Sequence, residues 1–290
     1  MSKKFFDLYF EYAGVGRSES PAVFHRWAII GCVGTMLGRQ VRIPFGHGQI
    51  YPNQFIMLMG TPGTRKSTAI NTAVKVLKST GYTRFAGDKT SKEAFLRDMK
   101  QNDATDFLSD ADLEEMTLDS PAEVCIAADE FTDFVGQNNM DFLTMLTKLW
   151  DCPPDYKNPK MQGKNVAVHQ PTVNILSGNT LQGFSLAFPA EALGNGFMSR
   201  LLFIHGEPTG KKVTFPQPPE FEITERVIFY MNTIKERIKG DMSFSEEHAN
   251  FLVNNGDGTF EDAIYLINLA KEKIKEQFNI DIEEEIIIYK

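Results

Sequence analysis

The sequence predicts an α/β protein built on a mainly parallel sheet of about five strands flanked by helices, with a small N-terminal cap and a mostly helical C-terminal subdomain. Two observations carry that prediction. From Gln54 onward, short apolar runs alternate with stretches of helical period, and a glycine-bearing polar loop joins the first of those runs to the helix behind it. The runs are Phe55 to Met59, Thr83 to Ala86, Val124 to Ala128, Thr172 to Leu176 and Leu201 to Ile204.

With 290 residues, 42% apolar and 23% charged, the chain can bury a sizeable core without staples. Cys32, Cys125 and Cys152 are odd in number and widely spaced, which predicts neither a disulfide framework nor a zinc site and fits a reducing cytoplasm. Asp7 and Glu11 interrupt the N-terminal stretch where a signal peptide needs an apolar run. The apolar run from Trp27 to Gly38 ends at Arg39, too short for a bilayer, and reads as a buried helix. No membrane role is expected. A net charge of −8 argues against coating nucleic acid through a broadly basic surface, although a local basic patch is compatible with it.

Composition divides the chain into a helical cap at 1–50, a core at 51–206, a proline-rich linker at 207–220 carrying Pro208, Pro216, Pro218 and Pro219, and a mostly helical subdomain at 221–290. An acidic stretch without basic residues, 102–121, reads as a solvated insertion or a docking element.

The loop is Gly60-Thr61-Pro62-Gly63-Thr64-Arg65-Lys66-Ser67, followed by Thr68. It lies between a strand and a helix, where backbone N–H groups and the helix dipole cradle phosphates. This is the pattern of a P-loop NTPase, with Gly60, Thr61, Pro62, Gly63, Thr64, Arg65, Lys66, Ser67 and Thr68 around ATP, Lys66 reaching the β and γ phosphates, and Ser67 giving a hydroxyl to Mg²⁺. Arg65 stands where the motif has its second glycine. Its side chain either adds charge to the site or turns away.

Asp129 and Glu130 follow the apolar run Val124 to Ala128, at the strand edge where ligands bind in parallel sheets. Asp129 is expected to hold Mg²⁺ and Glu130 to activate the attacking water. Asn179, or Ser177, runs off the next strand as a sensor of the γ-phosphate, while Thr180 suits a helix N-cap. Arg200, after two glycines and before Leu201, suits an arginine finger acting across a subunit boundary, with a structural ion pair as the alternative. Lys157, Lys160 and Lys164 lie in a hairpin that is either solvated or a loop tracking a phosphate backbone. The stretch Asn254 to Thr259 lacks the flanking ligands of a calcium loop.

The order of these motifs, with Asp129-Glu130-Phe131, Leu149-Trp150-Asp151-Cys152-Pro153 and Ser199-Arg200-Leu201, resembles a family of phage and mobile-element P-loop ATPases, the helicase-like domains of primase-helicase proteins. The resemblance covers roughly residues 20 to 206. It implies a RecA-like or AAA+-like core, a ring homo-oligomer such as a hexamer, and action on single-stranded DNA with other replication proteins in a host cytoplasm. The expected function is therefore a Mg²⁺-dependent ATP hydrolase working as a DNA helicase or translocase. A slow ATP-controlled loader and a small-molecule kinase are the alternatives, the kinase disfavoured by the water-activating glutamate.

Overall fold

The computed structural model describes residues 5–87, 89–100, 121–158, 166–188, 194, 196–236, 238–239, 242–244, 252–254 and 258–278. In chain order, helices α1 (Phe5–Tyr12) and α2 (Ala22–Leu37) precede a hairpin of β1 (Ile43–Phe45) and β2 (Gly48–Ile50). Strand β3 (Phe55–Met59) feeds α3 (Lys66–Ser79), and α4 (Lys92–Lys100) comes before β4 (Glu123–Ala128). Helices α5 (Phe131–Val135) and α6 (Met140–Trp150) lead to the hairpin of β5 (Asp155–Asn158) and β6 (Val166–His169), then β7 (Thr172–Asn179), α7 (Leu181–Ala187) and β8 (Leu201–His205). Helix α8 (Phe221–Glu236), strands β9 (Ile238–Lys239), β10 (Met242–Phe244) and β11 (Leu252–Asn254), and helix α9 (Phe260–Phe278) complete the order.

The chain divides into two units, residues 1–39 with 51–231, and residues 40–50 with 232–290. In the first, β4, β7, β3 and β8 form a wholly parallel sheet in that order. All five residues of β3 are buried, as expected of a central strand covered on both faces, which is why its sequence is apolar without alternation. The register sets Met59 of β3 opposite Asn179 of β7 and His205 of β8, so three strands end level. Ala128 of β4 pairs with Ser177, which brings Asp129 to the same edge. The run from Trp27 to Gly38 forms most of α2, which packs on α3 and buries Phe24, Ala28, Ile29, Cys32 and Met36.

An aromatic stack supports that edge. Phe131, Phe188 and Phe197 lie nearly parallel, with ring centroids 5.8 to 6.0 Å apart, and Phe55 leans on Phe197 at 6.0 Å. Phe131 directly follows Glu130, so the stack anchors the turn that presents the acidic pair. Removing such a ring from a close-packed core costs about 3 to 5 kcal/mol.

One sequence expectation of the fold is corrected. The expected strand at Thr83 to Ala86 is reduced to a single parallel bridge from Phe85 to Cys125, leaving a four-stranded sheet among the described residues. In the C-terminal region the described residues lie mostly in α8 and α9, and β9, β10 and β11 add a three-stranded antiparallel sheet beside α9, too short to register as period-two runs. The proline-rich segment is tied to residue 19: Val213 N–H donates to Glu19 Oε1 at 2.8 Å and Thr209 Oγ1 donates to the Glu19 carbonyl at 2.9 Å. The acidic stretch lies outside the described residues except for Pro121.

His25 is buried on α2, and neither ring nitrogen has a hydrogen-bond partner among the described residues. Burial pushes its pKa down from 6.5 to about 4. Between those values the unfolded chain binds a proton that the folded chain does not, so stability rises with pH and is lost as pH falls from about 6.5 toward 4. The loss is on the order of 3 kcal/mol. Urea denaturation at pH 7 and pH 4.5 checks this: His25→Phe flattens the dependence, and an unchanged slope in that variant contradicts it.

Candidate functional site

The loop after β3 is held in shape by close backbone approach. A Cβ on Gly60 would lie 2.7 Å from Thr64 Oγ1 and 2.8 Å from the Gly206 carbonyl, so no other residue fits without displacing the backbone of β8. Gly63 has φ +82°, open to solvent, which turns the chain toward α3. The Lys66 ammonium folds back into the loop, donating to the carbonyls of Gly60 at 2.9 Å and Thr61 at 3.2 Å and to Thr64 Oγ1 at 3.3 Å. Lys66 is only 9% exposed, so its charge is available to an anion in the loop rather than to bulk water. Burial lowers its pKa, and the negative charge of Glu130 acts in the opposite sense.

Arg65 takes the left-handed conformation, φ 60° and ψ 38°, which explains why a glycine suits this position in the motif. Its side chain turns away from the loop, with Nε 2.6 Å from Glu19 Oε2. Ser20 Oγ donates to the Arg65 carbonyl at 3.0 Å. Glu19 thus joins three segments, and its carboxyl is held below the usual range first by the Val213 N–H and then by Arg65. Sequence reasoning missed Glu19 because its partners lie 46 and 194 residues away.

Gly178 of β7 is a second site of close approach: a Cβ there would lie 2.7 Å from the Asp129 carbonyl and 3.3 Å from Lys66 Cβ. It was legible as a glycine inside a strand, a common mark of close backbone packing. It allows the start of α3 and the acidic turn to meet across β7. Ser67 is half-buried, while Thr68, Asp129 and Glu130 are exposed at this edge. Ser177 Oγ donates to the Ala128 carbonyl at 2.6 Å, fixing β4 to β7.

Asn179 is fully buried at the end of β7 beside Gly60, whose N–H meets the Asn179 carbonyl at 3.4 Å. Its Oδ1 accepts from Thr180 N–H at 2.9 Å, while Nδ2 has no partner among the described residues. Thr180 is an N-cap, its hydroxyl accepting from Gly183 N–H at 2.9 Å.

Other candidates lie elsewhere. Arg200 is tied within its own chain, with Nη2 bonded to both carboxylate oxygens of Asp151 at 3.0 and 3.1 Å, Nη1 donating to the Gly196 carbonyl, and the guanidinium 5.2 Å from the Trp150 ring. Lys157 is exposed on β5, and Lys160 and Lys164 lie outside the described residues. Among the described residues, no helix is long and apolar enough to cross a membrane.

Comparison with known proteins bears on the other end of the chain. A family model described as UDP-N-acetylenolpyruvoylglucosamine reductase, C-terminal domain, matches residues 213–289. The UDP-N-acetylenolpyruvoylglucosamine reductase of Campylobacter jejuni (strain RM1221) is 52% identical over 50 residues, 17% of this chain and 19% of that protein. That of Helicobacter hepaticus is 57% identical over 49 residues, with the same 17% and 19% shares. The Fervidobacterium nodosum reductase is 35% identical over 94 residues, 28% of this chain and 30% of its own. The chain spans about a fifth of the length of the first two relatives, at 19% each.

These findings correct the resemblance drawn from motif order and what followed from it. The matched proteins are reductases, and a reductase moves reducing equivalents rather than cleaving a phosphoanhydride. The assignment of the chain to a phage helicase-like P-loop ATPase family is withdrawn, and with it the P-loop NTPase fold class for the whole chain. The helicase, loader and kinase readings, ATP and Mg²⁺ as cofactors, and the ring oligomer with single-stranded DNA and replication proteins are withdrawn on the same finding. Residues 213–289 are similar to the C-terminal domain of an enzyme, a reductase. The matched residues begin at 213, after the last strand of the parallel sheet, so the loop geometry stands on its own.

Two outcomes follow from the geometry. Arg65→Gly trades an exposed, solvent-screened ion pair for relief of a left-handed residue worth about 1 to 2 kcal/mol. Its melting temperature is expected to hold or rise, and its affinity for inorganic pyrophosphate to stay within about threefold by calorimetry; a tenfold loss places the guanidinium in the anion site. Arg200→Ala and Asp151→Ala are each expected to destabilise the fold with a coupling of about 1 kcal/mol in a double-mutant cycle, and additive effects contradict the pairing.

Proposed function

We propose that the protein has two parts. Residues 213–289 serve as a reductase-type C-terminal domain directed at UDP-N-acetylenolpyruvoylglucosamine, and the loop from Gly60 to Thr68 holds a phosphate-type anion. The first part is supported by the 52% identity to a reductase over 50 residues. It concerns the role of a domain rather than a whole reaction, because the shared length is about a fifth of that relative, at 19%.

The second part is carried by one observation: a lysine held nearly out of solvent inside a glycine-shaped loop at a helix N-terminus, with Lys66 donating to the loop's own carbonyls. An arriving phosphate takes over those hydrogen bonds and adds the backbone N–H groups of the first turn of α3. Ser67 and Asn179 Nδ2, the latter without a partner among the described residues, are further donors at that edge, and Asp129 and Glu130 bound the site with negative charge. Thr61, Pro62 and Thr64 shape the loop.

Calorimetry on the full chain separates the two parts. Lys66→Ala is expected to weaken pyrophosphate binding roughly ten- to a hundredfold, the worth of hydrogen bonds to a charged group. The same variant is expected to retain binding of UDP-N-acetylenolpyruvoylglucosamine. Loss of both sinks the assignment to residues 213–289, and loss of neither sinks the phosphate loop.

A further inference from the structure

Glu19 joins two segments that lie far from it and from each other in sequence. The proline-rich segment forms one wall of a cavity of about 480 Å³, which Pro208 to Thr214 line together with Gly63 and Arg65 of the loop. The Glu19 carboxylate, in the wall of the same cavity, meets both: Arg65 Nε donates to Oε2 at 2.6 Å and Val213 N–H donates to Oε1 at 2.8 Å. The backbone is tied as well. Thr209 Oγ1 donates to the Glu19 carbonyl at 2.9 Å, Lys211 Nζ donates to the Gly16 carbonyl, and the buried Ser20 hydroxyl donates to the Arg65 carbonyl at 3.0 Å. All of these residues belong to the first unit.

We propose that Glu19 couples the loop to the proline-rich segment, so that an anion in the loop tightens the hold on Val213, an inference that rests on the phosphate reading. Arg65 is the N-cap residue of α3, and its carbonyl also accepts from Ala69 N–H at 3.4 Å. Its left-handed conformation sets the aim of the N–H groups on either side of it, the donors that an anion at this turn meets. Glu19, through the guanidinium, and Ser20, through the carbonyl, hold Arg65 in that conformation. A bound anion selects the same conformation, so anion and tie favour each other. The opposite effect, an anion drawing the guanidinium off Glu19, is the weaker one, because the Arg65 side chain is 53% exposed and screened by water.

The proline-rich segment suits the moving part. Residues 206–220 form no helix or strand, Lys211 and Lys212 are exposed, and Pro216, Pro218 and Pro219 stiffen the backbone that follows. Val213 is also the first residue of the stretch that matches the reductase family model. The coupling therefore puts the start of that stretch under the control of the loop.

Amide hydrogen exchange at Val213 tests this on the full chain, with and without inorganic pyrophosphate at a concentration that saturates each protein by calorimetry. In the wild type, pyrophosphate is expected to slow that exchange about fivefold or more, the low end of ordinary coupling between sites. Arg65→Gly leaves Glu19 and the Val213 N–H in place and is expected to lose most of the slowing. Val213→Pro removes the N–H without altering any charge, and by reciprocity it is expected to weaken pyrophosphate binding by about the same factor. Exchange that pyrophosphate leaves unchanged or speeds, or slows as much in Arg65→Gly as in the wild type, overturns the coupling and leaves the phosphate reading intact. Pyrophosphate affinity untouched by Val213→Pro does the same. Absence of any pyrophosphate binding that depends on Lys66 fails the phosphate reading and the coupling with it.

Discussion

The site depends on the burial of β3. Its five residues, all inaccessible, sit between β7 and β8 in a parallel register that makes the three strands end level, and everything presented at that edge inherits its position from this pairing. Only a strand covered on both faces can deliver a loop whose lysine is held against its own carbonyls rather than released to water. The close approaches at Gly60 and Gly178 are consequences of the same packing. One lets β8 close against the loop, and the other lets the acidic turn approach the start of α3 across β7.

Much of this was legible in the sequence, because it is local. The apolar run before Gly60, the periodic residues after Lys66 and the acids after Ala128 each report a strand or helix end, and four of the five expected strands are present. The rest was not legible because it rests on contacts between distant segments. Nothing near Glu19 indicates that it will meet both Arg65 and Val213, and nothing in the four prolines distinguishes a linker from a wall. Arg65 was ambiguous in sequence, and a positive φ with a remote carboxylate resolved its direction. Arg200 met the description of a free arginine equally well as that of one paired to Asp151, since the alternatives differ only in what faces it.

In the C-terminal region, strands of two and three residues carry too little alternation to be seen, so the sequence shows the two long helices and not the small sheet beside α9. Comparison with known proteins then supplied what periodicity lacked. Motif order drew on residues 20 to 206 and left the C-terminal region without a role, whereas the family model of the UDP-N-acetylenolpyruvoylglucosamine reductase C-terminal domain matches residues 213–289. The chain carries two unlike signals, a parallel sheet with a glycine-shaped loop and a segment similar to a reductase's C-terminal domain.

The loop is the claim on which most else rests, and a crystal structure of the full chain grown with inorganic pyrophosphate tests it most directly. The account predicts an anion in the loop, about 2.9 Å from backbone nitrogens between Gly63 and Ser67, with Lys66 Nζ moved from the Gly60 carbonyl to a phosphate oxygen. An anion bound elsewhere, with Lys66 still on Gly60, would contradict it.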